Sequence, residues 1–546
     1  MVKRNAGGAI AAVEHLGAEA GADVLRRGGN AADAAVACAF VQTVVDPWRC
    51  SIGGTAHIMY YDSKSAQTVM IDAGGIAPRR ATDTMFEVVN RWENAFIVKD
   101  GINRWGYLAQ TVPGFVRGMH DLFTRFGSGN LTWSDLIAPS LGLAEEGFPV
   151  HPHLAQAWQR DAGPSNPLFG DSYRALSFSD ESRRIFLHSD GTVYKTGEIL
   201  RQTDLAKTLA LISEGGVAEF YEGSIAERIV ADFAQHDGLL DAEDLRTYES
   251  ILEEPIHGSF RGLDVVTQTA PSVGPTILEI LAILDGWNVG EWQWNSSEHL
   301  RHVADAIYVA FCDRDEHVGD PRIVGNTFEK FLNPDHISEV RKRIESGRVR
   351  PSNVAASHEP LHDTTHVATM DSDGNTCGIT HSVGSGTGVI TPGLGFMHNC
   401  HMTNYDPRPN NVNSIAPGKR GTGGGAPVFI FDDGVPIVSL GSPAGTYKAS
   451  AIPQVLSNRF DFGLTLEQSV SSERIHVRSV PRTLVLDHRF DPRVATQMAM
   501  DGYDVHFSDY SARVVGVERD LKTQVFATGS DVRGDRGKEI VEPDVD

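Results

Sequence analysis

The chain has few cysteines and no long apolar run, and each absence argues against a class of protein. Its five cysteines are odd in number, widely spaced and without a Cys-x-x-Cys pair: Cys38, Cys50, Cys312, Cys377 and Cys400. A disulfide framework or a cysteine-based zinc or redox site is therefore not expected, and the thiols are interpreted as reduced and structural. Because no apolar run approaches the ~20 residues of a membrane-spanning helix, membrane insertion is not expected.

Positive charge is also scarce. The 546 residues include 48 Lys and Arg against 71 Asp and Glu, which gives a formal net charge of −23. Since such a surface repels polyanions, neither nucleic acid nor an anionic membrane is expected as a partner. Residues 1–8 carry two basic side chains, but no apolar segment of a secretory signal follows them, so a cytoplasmic location is expected.

Linkers, repeats and low-complexity segments are missing as well, and 41% hydrophobic residues are enough for a large core. Two helices are predicted over residues 15–44, with Gly28 ending the first and Asn30 capping the second. Turn signals and period-two alternation predict hairpins over residues 51–75, 364–382 and 428–440. Helical periodicity predicts helices within residues 205–214, 297–314, 450–457 and 466–472.

The junction at residues 362–366 (HDTTH) opens a predicted strand and offers a specific chemistry. A threonine released as a new N-terminus carries a nucleophilic hydroxyl and a free α-amine that can act as its base. Thr364 is therefore the candidate nucleophile. The tetrapeptide alone is also compatible with an ordinary turn before a strand.

The sequence around this junction resembles one family along most of its length. Residues 22–35 (ADVLRRGGNAADAA), 76–82 (IAPRRAT) and 112–114 (VPG) are similar to the opening motifs of the γ-glutamyltranspeptidases. After Thr364, residues 418–420 (GKR) and 441–445 (GSPAG) resemble that family's "PGKRPLSSMSP" and "GSPGG". The motifs keep one order from about residue 8 to about residue 480, so the chain is identified as a relative of these autoprocessed N-terminal-nucleophile hydrolases.

The resemblance implies a fold and a division of the chain. The expected fold is of the α+β class, a four-layer αββα sandwich, whereas periodicity alone indicates only mixed helix and strand. Cleavage before Thr364 would leave a large subunit of residues 1–363 and a small subunit of residues 364–546, which together form one intertwined domain. Assembly of this pair into a homo-oligomer is left open.

The same resemblance assigns the catalytic positions. The Thr364 hydroxyl would cut the preceding bond through an N→O acyl shift, and the freed α-amine, with an ordinary pKa of ~8, would then serve as general base. Backbone N–H groups of Ala444 and Gly445 match the family's paired glycines that hold the oxyanion. Ala444 suits this role if it does not need a positive φ. Ser382 matches a threonine that hydrogen-bonds the nucleophile, although a solvent-facing strand serine is equally compatible.

Departures from the family gather at the positions that contact the glutamyl group. Gly74 stands where the family has the arginine that binds the α-carboxylate, and Asn404 where it has the aspartate that binds the α-amine. Gly423 and Gly424 replace a serine pair, and the loop at Gly384 is shorter and lacks an asparagine. Loss of a charge-assisted pair of this kind costs a few kcal/mol, so a diverged acyl pocket is predicted. Arg49, Arg79 or Arg80 is a possible replacement for the missing cation, although each is compatible with a solvated surface role.

The sequence therefore predicts an N-terminal-threonine amidohydrolase that acts on a small-molecule amide other than a γ-glutamyl compound. Hydrolysis is favoured over transfer to an amine because a short segment between Met402 and Gly418 leaves the site uncovered. A genuine glutathione hydrolase or γ-glutamyltransferase is the main alternative, and a processed homologue without turnover is the other. No cofactor is expected. No metal site is expected either, since His366, His381, His398 and His401 lack a zinc-binding spacing.

Overall fold

The computed structural model of the chain describes residues 7–92, 95–159, 172–349, 364–425, 427–479, 482–508 and 512–542. Asp363, on the predicted large-subunit side of the junction, lies outside the described residues, and Thr364 lies within them. Within the described part, no helix is long and apolar enough to cross a bilayer.

The strands of the described residues fall mostly into two large sheets. In chain order they are β1 (Gly8–Ala12), β2 (Thr55–Asp62), β3 (Gln67–Ala73), β4 (Val88–Trp92), β5 (Ala95–Val98), β6 (Phe148–Pro149), β7 (Ile199–Leu200), β8 (Ile251–Glu253), β9 (Ile256–Phe260), β10 (Leu263–Thr267), β11 (Thr365–Asp371), β12 (Thr376–Ser382), β13 (Val428–Asp432), β14 (Val435–Gly441), β15 (Ile475–Arg478), β16 (Thr483–Asp487), β17 (Val505–Ser508), β18 (Val515–Arg519), β19 (Phe526–Ser530) and β20 (Gly537–Val541).

Helices connect and cover these strands. In chain order they are α1 (His15–Arg26), α2 (Ala31–Val45), α3 (Phe115–Phe126), α4 (Trp133–Glu146), α5 (Pro152–Gln159), α6 (Ser172–Leu176), α7 (Asp180–Phe186), α8 (Thr203–Tyr221, interrupted at Gly216), α9 (Ser224–Gln235), α10 (Ala242–Arg246), α11 (Gly274–Asp285), α12 (Ser297–His317), α13 (Pro321–Val324), α14 (Pro334–Glu345), α15 (Tyr447–Phe460), α16 (Leu466–Ser471) and α17 (Pro492–Met500). Four short 3-10 turns lie at Lys99–Gly101, Val289–Glu291, Thr327–Lys330 and His401–Asn404.

Seven strands form the first sheet, in the order β20-β1-β11-β12-β2-β3-β8, and all neighbours are antiparallel. The second sheet has six antiparallel strands in the order β19-β18-β14-β13-β10-β9. Each sheet combines strands from before and after Thr364. The two predicted subunits therefore share both sheets, as one intertwined unit requires.

The alternation of side chains along the strands separates the layers. On β1, Ala9 and Ala11 face the second sheet, where they meet Val515 and Val517, while Ile10 turns to the other side and packs in the core under α1 and α2. A separate core built around α11, α12 and α15 covers the outer face of the second sheet. The order helix, sheet, sheet, helix confirms the predicted αββα fold.

The structure confirms the predicted helix cap and hairpins. Asn30 caps α2 through a reciprocal capping box with Asp33, and Gly28 follows α1 with a φ of 83°. The three predicted hairpins appear as β2–β3, β11–β12 and β13–β14. A small third sheet, β15-β16-β17, was not predicted, and it includes a parallel pair whose strands are separated by α17.

Candidate active site

Thr364 immediately precedes β11, and strand register sets its neighbours. Thr365 pairs with His381, and Ser382 pairs with Thr55 on the next strand. One position back along β11, Thr364 therefore lies opposite Ser382, at the ends of three adjacent strands. Thr364 is only 4% exposed.

Most of the predicted site residues line a single pocket. It encloses about 650 Å³ of empty space, including its open mouth. The predicted residues that line it are Thr364, Ser382, Gly445, Gly74, Asn404, Gly423 and Gly424. Its described lining does not include Ala444 or Gly384.

The glycine-containing turn lies between β14 and α15. Gly441 ends β14, and a Cβ at this position would lie 2.2 Å from Cε1 of His366 on β11. Only glycine allows this close approach, which holds the turn against the nucleophile strand. Gly445, with a φ of 49°, and Thr446 then line the pocket just before the first residue of α15. Backbone N–H groups at a helix N-terminus favour a developing negative charge.

Ala444 adopts a positive φ. Its φ is 79°, in the left-handed region that costs a residue with a Cβ ~1–2 kcal/mol. Its methyl group packs in the core around α15. The condition attached to its oxyanion role, that it does not need a positive φ, is therefore not met, and the role stays a prediction. The backbone N–H is retained, but in a strained conformation that glycine would adopt freely.

Ser382 is held by the loop that follows β12. Its Oγ accepts a hydrogen bond of 2.8 Å from the N–H of Gly384. Gly384 has a φ of 76°, which glycine adopts without strain. Gly384 lies outside the described pocket lining and orients Ser382, and its contact with substrate stays a prediction.

The opposite face of β11 anchors the residue after the nucleophile. The Thr365 hydroxyl donates to Glu14 (2.9 Å) and accepts from the Gln42 amide (2.8 Å), and Gln42 also contacts His381 (2.8 Å). All four side chains are fully buried. Burial, together with nearby Asp46, raises the pKa of Glu14 to about 8, so this acid is protonated at neutral pH. The network fixes Thr365 and with it the position of Thr364.

The acyl side of the pocket is the part that would hold the acyl group of the substrate. Glycines that replace larger residues of the family surround the imidazole of His57 there. A Cβ at Gly74 would lie 3.1 Å from Cε1 of His57, and one at Gly424 would lie 2.6 Å from the same atom. A Cβ at Gly425 would lie 2.7 Å from the His57 Cβ. Gly74 and Gly424 are separate departures in the sequence, whereas the structure links them through the space that His57 occupies. Burial lowers the pKa of His57 to about 4, despite Asp72 at 3.5 Å, so the ring is neutral.

Arg420 lines the pocket, but its charge is matched. Its Nε lies 3.1 Å from Oδ2 of Asp72, and its guanidinium donates to the carbonyl of Gly74. The other oxygen of Asp72 accepts from the N–H of Gly74 at 2.8 Å. Burial alone would lower the pKa of Arg420, but Asp72 and Tyr248 outweigh it and raise the pKa. The pair is therefore internally neutral.

Lys448, at the second position of α15, also lines the pocket and is 2% exposed. Its ammonium group donates to the carbonyl of Gly424. Among the described residues, no carboxylate forms an ion pair with it. Burial lowers its pKa to about 7. Lys448 therefore carries the unmatched positive side-chain charge of the pocket at and below neutral pH.

The three arginines that were considered as replacement cations lie elsewhere. Arg49 is buried in an ion pair with Asp46 at 2.9 Å. Arg79 is exposed and lies 3.9 Å from Asp244, and Arg80 donates to backbone carbonyls. None of them is among the described residues that line the pocket.

The four histidines near the nucleophile do not converge on one point. Each has its own partner: His366 with Thr380 (2.8 Å), His381 with Gln42 (2.8 Å), His398 with Thr391 (3.0 Å) and His401 with Thr55 (3.3 Å). Burial lowers the pKa of each to about 3, so they add no charge to the site.

Within the described chain, one group of potential metal ligands comes close together, away from the pocket. Glu279, Asp313 and His336 join α11, α12 and α14, and His336 lies 2.9 Å from Asp313 and 3.5 Å from Glu279. Hydrogen bonds to the two acids raise the pKa of His336 to about 9, and burial raises that of Glu279 well above its ordinary value. A protonated Glu279 beside a His336–Asp313 ion pair accounts for this group without a metal.

Sequence reasoning missed His57 and Lys448. A lysine in the first turn of a helix opposes the helix dipole, and this was the available signal for Lys448. For His57, a polar residue in the middle of a strand hairpin carries no comparable signal, because its importance comes from contacts with residues distant in the chain.

Comparison with known proteins agrees with this geometry. A family model described as gamma-glutamyltranspeptidase matches residues 17–541. The chain is 31% identical over 494 residues to the glutathione hydrolase proenzyme of Bacillus subtilis (strain 168), across 87% of this chain and 81% of that protein. It is 32% identical over 496 residues to the acylase ACY 1 proenzyme of Pseudomonas sp. (strain SE83), across 90% and 86%.

Among solved structures, the cephalosporin acylase of Bacillus halodurans superposes with a TM-score of 0.85 at 27% identity, covering 98% of this chain and 96% of that one. Relatives with two different printed activities thus match most of the length of this chain. The chain belongs to the γ-glutamyltranspeptidase family and is an amide-bond hydrolase of the N-terminal-nucleophile superfamily.

Proposed function

We propose that the chain cleaves itself between Asp363 and Thr364, and that Thr364 then attacks the amide of a small molecule whose acyl group is not γ-glutamyl. The observation that carries this proposal is the placement of Thr364 in the pocket, opposite Ser382 and beside the turn at Gly445. Asp363 lies outside the described residues, so the position of the cut rests on the sequence match.

The proposed reaction follows from these positions. The Thr364 α-amine takes the proton of the Thr364 hydroxyl while the oxygen attacks the substrate carbonyl carbon. The N–H groups of Gly445 and Ala444 hold the oxyanion at the N-terminus of α15. Collapse breaks the C–N bond and returns the proton to the leaving amine. Water then attacks the ester by the same steps and releases the acid.

The side of the pocket that would receive the acyl group of the substrate bears on which substrate is accepted. The described lining of the pocket contains no carboxylate to pair with an α-ammonium group, and Arg420 is already paired with Asp72. Desolvating the α-ammonium of a glutamyl group there without compensation is unfavourable. Glutathione hydrolysis, the printed activity of the Bacillus subtilis relative, is the second candidate because of that similarity.

The first experiment tests self-cleavage. Purified protein incubated at neutral pH should give two chains on a denaturing gel, about two-thirds and one-third of 59.3 kDa, the smaller beginning at Thr364. Thr364→Ala should remain one chain, and Thr365→Ser should still be cut because its hydroxyl contact with Glu14 is kept. A wild-type chain that stays intact contradicts the proposal.

The second experiment ranks substrates. The processed protein is assayed with γ-glutamyl-p-nitroanilide, glutathione and non-glutamyl anilides. Glutathione turnover at a kcat/KM of ~10⁴ M⁻¹s⁻¹ or more would favour the second candidate. The cytoplasmic location stays a prediction, which fractionation of the native cells tests.

A further inference from the structure

Glu279 is a carboxylate in the middle of an apolar helix. It lies in α11 between Leu278 and Ile280, and its side chain is fully buried. Its Oε2 has no hydrogen-bond partner among the described residues, and its Oε1 reaches Nε2 of His336 only at 3.5 Å. Because a buried carboxylate is costly unless it is paired or coordinates a metal, the groups around it decide what it can do.

Two further side chains that can bind metals approach Glu279 from neighbouring helices. Asp313 lies on α12 and His336 on α14, and Nε2 of His336 is 2.9 Å from Oδ2 of Asp313. One ligand atom of each residue lies within 4.8 Å of the other two. A tetrahedral zinc ion with bonds of ~2.0–2.1 Å separates its ligand atoms by about 3.3 Å. The two separations from Nε2 lie on either side of this value, so small side-chain rotations complete the set.

The charges of the three groups match a divalent cation. Two carboxylates and a neutral imidazole offer two negative charges, which a dication neutralises in a buried setting. In the metal-free chain, protons held by Glu279 and His336 balance the charge, because the pKa of each is raised, and a metal ion would replace them. An imidazole ligand favours zinc and similar transition metals over Ca²⁺ and Mg²⁺, which prefer oxygen ligands.

Solvent reaches the three residues from one side. The side chain of His336 is 31% exposed and that of Asp313 is 19% exposed, whereas Glu279 is fully buried. A metal ion can therefore enter from the surface, and a water molecule can complete four-coordination. None of the three is among the described residues that line the Thr364 pocket. The site is therefore suited to a structural role.

We propose that Glu279, Asp313 and His336 form a structural site for one divalent transition-metal ion of the zinc type. The ion would join α14 to α11 and α12. This tie would reinforce a helix that buries three of its twelve residues against the core: Ile337, Val340 and Ile344. The inference depends neither on the substrate nor on self-cleavage.

Zinc binding to the purified full chain tests the site. After removal of metals with a chelator, calorimetric titration with ZnCl₂ should show a site whose Kd rises at least ~10-fold in Glu279→Gln and in His336→Gln. Loss of an outer-shell partner already costs ~10–100-fold, and these residues are direct ligands. His257→Gln is the matched control, because exposed His257 forms a simple pair with Asp264 at 3.1 Å, and its Kd should stay within about twofold of wild type. Absent binding, or binding that both ligand variants leave unchanged, overturns the proposal.

The same titration tests the kind of metal. Ca²⁺ and Mg²⁺ should bind at least ~10-fold more weakly than Zn²⁺, because one of the three ligands is an imidazole. Equal or tighter binding of Ca²⁺ or Mg²⁺ would overturn the assignment to a transition metal.

A stability measurement separates a structural site from a loosely held surface ion. Saturating ZnCl₂ should raise the Tm of the wild type, because a ligand that binds only the folded state stabilises it, and Glu279→Gln should abolish that rise. This variant keeps the shape of the side chain and removes a buried carboxylate; if it fails to fold, the partly exposed His336→Gln gives the same comparison. A Tm that zinc leaves unchanged in the wild type, or raises equally in the variant, overturns the proposal.

Discussion

The two sides of the pocket differ in what forms them: backbone positions on the nucleophile side and packed side chains on the acyl side. On the nucleophile side, Thr364, Ser382 and Gly445 are placed by strand register and by a turn at a helix start. On the acyl side, the wall consists of the side chains of His57 and Lys448, with Gly74 and Gly424 packed around them.

This difference explains why one side matches its family and the other does not. Backbone N–H groups and strand register persist when side chains change, so the reaction chemistry is robust. A wall of packed side chains responds as a unit, because one imidazole lies 3.1 Å from a Cβ at Gly74 and 2.6 Å from a Cβ at Gly424. Specificity can therefore change through a few linked substitutions while the reaction stays the same.

The largest expected effect is a loss of kcat from a substitution on the nucleophile side. Gly445→Val places a β-branched residue at a φ of 49° beside the oxyanion and should lower kcat by ~10²-fold or more, since loss of one oxyanion donor costs ~2.7–4 kcal/mol. Gly463→Val is the control: Gly463 has a φ of 67°, with open space around it and no place in the pocket. If both variants lose kcat equally, backbone strain and not the oxyanion site is responsible.

The next largest effect is a gain in kcat/KM for a γ-glutamyl substrate from substitutions on the acyl side. Gly74→Arg with Asn404→Asp restores the family's glutamyl contacts, but a Cβ at position 74 meets His57 at 3.1 Å and Asp72 at 2.7 Å. We expect the double variant to gain little, and addition of His57→Ala to raise kcat/KM for γ-glutamyl-p-nitroanilide by ~10-fold or more, because the contacts act together. His57→Ala alone should not raise it. A full gain in the double variant would show that His57 does not block the site.

A smaller effect concerns pH. Burial lowers the pKa of Lys448 to about 7, so the residue is a cation below that pH and neutral above it. For two anilides of equal acyl length, one with a carboxylate at the end of its acyl group and one without charge, the ratio of their kcat/KM values should therefore be highest near pH 6 and fall as the pH rises through 7, because kcat/KM reports the free enzyme. The facing groups do not share this window: His57 and His401 titrate at about 4 and about 3, and Arg420 stays charged.

In that titration, deprotonation of the Thr364 α-amine affects both substrates alike and cancels in the ratio. Lys448→Met should flatten the profile. A ratio that is constant from pH 6 to pH 9 in the wild type would mean that Lys448 does not face the acyl carboxylate.

The smallest effect concerns strain on the nucleophile side. Ala444→Gly should leave the free energy of unfolding nearly unchanged, since relief of the left-handed strain offsets the entropy cost of glycine and the loss of a buried methyl group, each ~1 kcal/mol. Ala449→Gly, three residues into the helix α15, should instead lower it by ~1 kcal/mol or more. Urea unfolding of the processed proteins compares the two variants, and an equal loss in both would contradict the strain at Ala444.

Several parts of the fold were predictable because their signals are local. Asn30 and Asp33 form a capping box within one turn of helix. The hairpin of β11 and β12 is likewise formed by strands that are neighbours in the sequence. The pocket membership of Thr364, Ser382 and Gly445 followed from motifs that the family resemblance supplied. The φ of Ala444 was left open, because a residue type does not reveal the φ that a turn between a strand and a helix imposes.

The sequence by itself determined the family, the four-layer fold, the candidate nucleophile and the positions where the acyl pocket departs from its relatives. Only the tertiary structure decided what fills those positions. His57 and Gly424 are 367 positions apart in the sequence numbering, and Lys448 reaches Gly424 from another element. Such contacts, and the burial that lowers the pKa of Lys448, exist only once the sheets and helices have packed, so no local pattern in the chain can contain them.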